Sequence, residues 1–185
     1  MASYYFKRFA TTYPRSEWAE EAMFMNAYSY FLNSPKSSLD QTNTHTAIDE
    51  LTTFMDLYPY SDRIERCQEL ISQLKAKLMA KDFNIANLYY KMEDYEAAIA
   101  TYDNVMKDYP DTEFKEEILF KILKSYYHFA SNSISAKQEE RFQSALDAYN
   151  ELMFQFPETL YKKEADNIFK NIQKKVSNLE MTLNN

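Results

Sequence analysis

Glycine is absent from this chain of 185 residues. Ordinary usage would place about thirteen in a chain of that length. Glycine adopts positive φ freely and lets a ligand come close to the backbone. The dinucleotide-binding fingerprint, the P-loop and the strained nucleophile elbow are all built on it, so none of them is present. Two-residue β-hairpins also lose their favoured turn residue. A chain of this size without glycine is therefore expected to be all-α. The only histidines, His45 and His128, stand 83 residues apart and offer no zinc-binding spacing. The one cysteine, Cys67, can make no internal disulfide. No apolar run approaches the roughly 20 residues that span a bilayer, and no signal-type segment is visible. Basic residues are outnumbered 21 to 28, and the net charge of −7 argues against nucleic acid as a general partner. Carboxylate neighbours such as Glu20-Glu21, Glu116-Glu117 and Glu139-Glu140 do not share a helix face and form no acid/base pair. Catalytic residues, cofactors and metal ligands are all expected to be absent.

Aromatic residues are plentiful, with 16 Tyr and 13 Phe, and they expose a repeat. Aromatic-proline pairs fall at Tyr13-Pro14, Tyr58-Pro59, Tyr109-Pro110 and Phe156-Pro157, spaced 45, 51 and 47 residues apart. Twelve residues before each proline stands an alanine: Ala2, Ala47, Ala98 and Ala145. Eight before are Phe6, Leu51, Tyr102 and Tyr149, and five before are Phe9, Phe54, Val105 and Leu152. These offsets are one buried stripe of a helix, with the alanine small where another helix must approach closely. Two residues after each proline comes Ser16, Ser61, Thr112 or Thr159, placed to cap the next helix.

The unit is helix, turn, helix, and a unit that cannot bury its stripe alone must stack on its neighbours. The spacing predicts helices over 2–12, 16–32, 45–57, 61–92, 95–108, 112–130, 138–155 and 159–180. The fourth is one long helix joining two halves. Polar loops are expected at 33–44 and 131–137. Taken together these give a single tetratricopeptide-type helical-hairpin solenoid over 1–185. It comprises a part-repeat at 1–14, repeats at about 16–59, 61–110 and 112–157, and a capping helix at 159–180. The first helix reads as the second half of a hairpin, so a preceding helix is expected beyond the N-terminus.

The stretch Asp82–Thr112, with Tyr89, Ala98, Tyr102 and Pro110 at consensus positions and Ala86 where glycine is usual, resembles a tetratricopeptide repeat. "YYFKRFATTYPRSEWAEEAMFMNAYSYF" and the segment from Ala47 to Thr112 are similar to the BamD/YfiO family of outer-membrane assembly lipoproteins. The resemblance runs to about Ile172. It implies a non-enzymatic periplasmic scaffold, lipid-anchored to the outer membrane. Such a scaffold binds BamA-like POTRA domains and other assembly-complex lipoproteins, together with C-terminal segments of outer-membrane protein precursors. The lipid-box cysteine of that family has no counterpart here, because Cys67 lies within a helix.

The first helices of the pairs carry aromatic and polar residues at i, i+4 and i+7. Phe24, Tyr28 and Phe31 form one such set; Phe83, Asn87 and Tyr90 a second; Phe120, Lys124 and Tyr127 a third. With Tyr149 they are the candidate peptide- and partner-binding residues. Aromatics beside an amide or a cation suit an extended peptide, although the same stripes would also serve as packing between helices. Lys124 or Arg15 is a candidate for a terminal carboxylate. Lys162, Lys163, Lys170, Lys174 and Lys175 on the last helix read as a solvated cap. The other reading of the chain is a repeat adaptor for a different peptide of the cell envelope or cytosol.

Overall fold

A computed structural model describes residues 1–183, with side chains through 177. Among the described residues the chain forms eight α-helices and no strand, as the missing glycine predicts. They are α1 (Ala2–Thr12), α2 (Ala19–Asn33), α3 (Thr42–Leu57), α4 (Ile64–Lys91), α5 (Tyr95–Asp108), α6 (Lys115–Ser131), α7 (Ser135–Gln155) and α8 (Lys162–Leu183). The chain divides into two compact units, Met1–Lys81 and Asp82 onward, so the long helix α4 contributes residues to both.

Each unit has its own core, built from the periodic stripe. In the first, Ala47, Leu51 and Phe54 are fully buried with Ala27, Leu70 and Leu74. Cys67 is buried among them, and burial pushes its thiol above the usual range while Arg63 pulls the other way. In the second unit, Ala98, Tyr102, Ala145, Leu152, Ala165 and Ile172 are fully buried. The Tyr102 hydroxyl donates to Asn87 Oδ1 at 2.8 Å, which satisfies a polar group that burial would otherwise penalise.

Four helices start three residues later than the hydroxyl rule predicts. Ser16, Ser61, Thr112 and Thr159 each accept the N–H two residues on, at 3.2 Å. They do so inside two successive tight turns, such as Ser16 N–H to Tyr13 O and Ala19 N–H to Ser16 O, both 3.0 Å. The hydroxyl thus shapes the turn, and the α-helix begins only after it. Two of these hydroxyls also donate to a glutamate at the start of the preceding hairpin. Ser61 Oγ reaches Glu20 at 2.5 Å, and Thr159 Oγ1 reaches Glu116 at 2.6 Å. Glu116 additionally accepts the Leu160 N–H at 2.7 Å. Glu116→Ala should therefore cost about 1–3 kcal/mol in urea unfolding, because it strands a buried threonine hydroxyl and a backbone donor together.

Two other boundaries differ from expectation for local reasons. α3 begins at Thr42 because buried Gln41 closes the loop before it, donating to the carbonyls of Lys36 and Leu39 at 2.8 and 2.9 Å. The same loop is held against α4, where Lys77 donates to the Ser34 hydroxyl at 2.7 Å and Lys81 to the Leu39 carbonyl at 2.7 Å. α7 begins at Ser135, leaving a link of only three residues after α6. The Arg141 guanidinium bonds the Ser133 hydroxyl and lies 3.8 Å from the Phe129 ring centroid, which ties that link down. Between α4 and α5, Glu93 adopts φ 62°, a conformation that glycine would take more cheaply. Asp94 then caps α5 by accepting the Ala97 N–H at 3.2 Å.

Candidate partner-binding face

Within the first unit, α2 carries its aromatic set as a stack. Phe24 and Tyr28 lie 5.7 Å apart with ring planes 11° from parallel, and Tyr28 and Phe31 repeat the arrangement at 5.7 Å and 12°. Phe24 is buried, packed edge-on against Phe54 and covered by the Arg63 guanidinium at 4.4 Å. Tyr28 and Phe31 are half-buried and pack against the edge of the first core. The stack thus runs from a buried ring to half-buried ones.

The second unit gathers a larger cluster. Tyr90 on α4, Tyr95 on α5, and Tyr127 and His128 on α6 form connected rings. His128 stacks on Tyr95 at 5.1 Å, and Tyr90 meets Tyr95 edge-on at 5.8 Å. Tyr127 and His128 are 5.4 Å apart. Three lysines border the rings. Lys121 Nζ lies 4.9 Å from the Tyr90 centroid and Lys175 Nζ 5.5 Å from that of Tyr127, distances at which a cation is attracted to a ring face. Lys124 donates to Glu164 at 2.7 Å. Burial lowers the Lys124 pKa, but the Glu164 hydrogen bond and charge, with Tyr90, outweigh it and leave the ammonium raised.

Other predicted residues pack elsewhere in the second unit. Phe83 is buried against Phe114 at 5.2 Å, and Phe120 is buried under Tyr161 at 4.3 Å. Asn87 is engaged by Tyr102. Tyr149 links α7 to α8: its hydroxyl donates to Asp166 at 2.7 Å and its ring stacks on Phe169 at 4.6 Å. Burial, then the Asp166 hydrogen bond and charge, push the Tyr149 phenol up to about 12. Sequence reasoning passed over Tyr95, Lys121 and His128 as parts of the cluster. Lys121, Lys124 and His128 stand at i, i+3 and i+7 on α6, a spacing that could have shown their common face.

His128 makes the cluster sensitive to acid. Burial lowers its pKa, Lys124 and then Lys175 lower it further, and Glu93 opposes them. A depressed folded-state pKa means that the unfolded chain takes up the proton first as pH falls below about 6.5. Stability should thus fall with pH through the window just below that value. In His128→Gln that part of the slope should vanish, which urea midpoints measured across about pH 5 to 7 would show.

A second concavity of about 390 Å³ opens in the same unit, with Leu119, Ile122 and Tyr126 as its floor and Asp103, Asp147 and Glu151 on its walls. Among the described residues no group of three His, Cys, Asp or Glu side chains is arranged to hold a metal ion. No helix among them is long and apolar enough to cross a membrane.

Two comparisons bear on these features. The family described as "YfiO: Outer membrane lipoprotein" matches residues 1–142. A protein of Caulobacter vibrioides, "Outer membrane protein assembly factor BamD", is 26% identical over 125 residues. The match covers 68% of this chain and 41% of that protein, so the chain spans less than half the length of this curated relative.

Proposed function

The chain belongs to the YfiO family of outer membrane lipoproteins, and on that premise we propose that it is a non-enzymatic scaffold in assembly of outer-membrane β-barrel proteins. Its place is the periplasmic face of the outer membrane, where the family resides. The partners in this reading are the POTRA domains of a BamA-like protein, the other lipoproteins of the assembly complex, and C-terminal segments of barrel precursors.

The observation that carries the reading is the ring-and-lysine face of the second unit. Tyr90, Tyr95, Tyr127 and His128 supply flat apolar surface of low conformational entropy, and Lys121 and Lys175 give it a positive border. Glu93 acts on Tyr95 and His128, and Glu164 pairs with Lys124, so the positive charge of this face lies along its Lys121 and Lys175 border. It suits an acidic protein surface or the carboxylate end of an aromatic-terminated peptide. The stack of Tyr28 and Phe31 in the first unit is a second candidate surface of the same kind.

The test is capture of the purified chain by the POTRA region of a BamA from the same genome, beside a Tyr90→Ala, Lys121→Glu variant checked by circular dichroism. The parent should be captured, and the variant should lose at least about tenfold in affinity while keeping its helical signal. A folded parent that is not captured would sink the assembly reading and leave an adaptor for some other peptide.

A further inference from the structure

α6 presents two faces of opposite character. Lys121, Lys124 and His128 stand at i, i+3 and i+7 on one of them. Leu119, Ile122 and Tyr126 repeat that spacing two residues earlier, which turns them about 200° around the helix. These three floor the concavity of about 390 Å³, and its walls come from α5 and α7, with Asp103 on one and Asp147 and Glu151 on the other. Ser144 and Ala148 line the α7 wall as well, and their small side chains leave the space open. The floor is well packed, with Leu119 and Ile122 buried and Tyr126 half-buried.

Three carboxylates thus border an apolar floor, and none of them forms an ion pair among the described residues. Elsewhere the molecule does pair its carboxylates, Glu50 with Lys7 and Glu164 with Lys124. Asp147 and Glu151 each accept a neutral amide instead, from Gln143 at 3.0 Å and from Gln155. At Asp103 burial pushes the carboxyl above its usual range, and no cation offsets it. Burial and then the Asp103 charge raise the Tyr126 phenol, so that carboxylate lies near the floor. The three do not converge on a point, since no group of three such side chains among the described residues is arranged to hold a metal ion. The cation that complements this cleft is therefore extended, with an apolar stem and a head able to reach both walls.

We propose that the cleft between α5 and α7 receives an arginine side chain presented by a protein partner. The methylene stem lies along Leu119 and Ile122, as long cationic side chains cover apolar surface while their heads stay polar. The planar guanidinium forks between Asp103 on one wall and Asp147 or Glu151 on the other, and its flat face rests on the Tyr126 ring. Lysine supplies a single compact charge and cannot fork in this way. The cleft lies on the far side of α6 from Lys121, Lys124 and His128, so it goes beyond the partner-binding face, and either can fail without the other.

The probe is a rhodamine-labelled, end-capped peptide, Ala-Leu-Arg-Leu-Ala, with lysine and citrulline versions, followed by fluorescence anisotropy at about 0.15 M salt. Citrulline keeps the shape of arginine without its charge. A chain of net charge −7 attracts any cationic peptide, so the site needs a matched control. One variant carries Asp103→Asn and Asp147→Asn; the other carries Glu17→Gln and Asp56→Asn, the same change of charge at exposed positions in the first unit. Circular dichroism checks that both keep the fold. The arginine peptide should bind saturably, and the citrulline version should bind at least about tenfold more weakly. The cleft variant should lose about tenfold, and the control variant less than about twofold. Equal losses in the two variants would overturn the proposal, as would displacement of the peptide by equimolar calcium. No binding of the arginine peptide up to about 1 mM would do the same.

Discussion

Phe54→Ala is expected to lower the unfolding free energy by about 3–5 kcal/mol, a large part of the roughly 5–15 kcal/mol that holds an ordinary domain together. Phe54 is fully buried, meets Phe24 edge-on at 5.7 Å and lies 5.3 Å from Tyr58. Truncation removes the transfer free energy of the ring and also leaves a cavity. The helices around it are rigid and tied elsewhere by the Ser61–Glu20 clamp, so they collapse into that space only in part. The measurement is urea unfolding followed by circular dichroism, with Phe54→Leu as a milder companion that restores most of the volume. A loss below about 1 kcal/mol would mean that the core is far looser than its burial implies.

Ala98→Leu should be almost as damaging, by about 2–3 kcal/mol, for the opposite reason. Ala98 is fully buried at the position where every repeat carries alanine, and no space remains for three more carbons. The added atoms must push a neighbouring helix outward or take an unfavourable rotamer. Ala100→Leu, two residues along the same helix on an exposed face, supplies the control and should change stability by less than about 0.5 kcal/mol. Equal effects at the two positions would show that leucine in α5 is tolerated everywhere, and that close helix approach at Ala98 has been misjudged.

The helical class and the repeat were legible from the residues because both rest on local rules. Absent glycine, proline stops and a fixed stripe of Ala, aromatic and aliphatic positions describe each hairpin without reference to the others. α1 and α5 accordingly match their predicted limits, while α2, α4, α6 and α8 begin three residues late. That displacement has one cause, the double turn around Ser16, Ser61, Thr112 and Thr159, whose N–H bonds compete with an earlier helical start. At α3 the cause is Gln41, whose two bonds to loop carbonyls no periodicity rule can foresee.

The candidate site was legible only in part. Helical spacing found Tyr90, Lys124 and Tyr127, because residues on one helix announce their shared face. It missed Tyr95, which comes from a different helix, and Lys175, which arrives from α8 far along the chain. Spacing also cannot separate a ring buried in the core from one at a face, so Phe83 and Phe120 carried the same pattern as Tyr90.

By itself the sequence determined where helices form, where proline ends them and which stripe α3, α5 and α7 bury, whereas Ala2 and Phe9 of the α1 stripe are exposed. These depend on interactions within a few turns of one chain segment. Only the tertiary structure decided which glutamate meets which hydroxyl and which rings come together from different helices. Those outcomes depend on the distance between helices some 40 residues apart, as in the bond from Thr159 to Glu116, and no local preference encodes that distance.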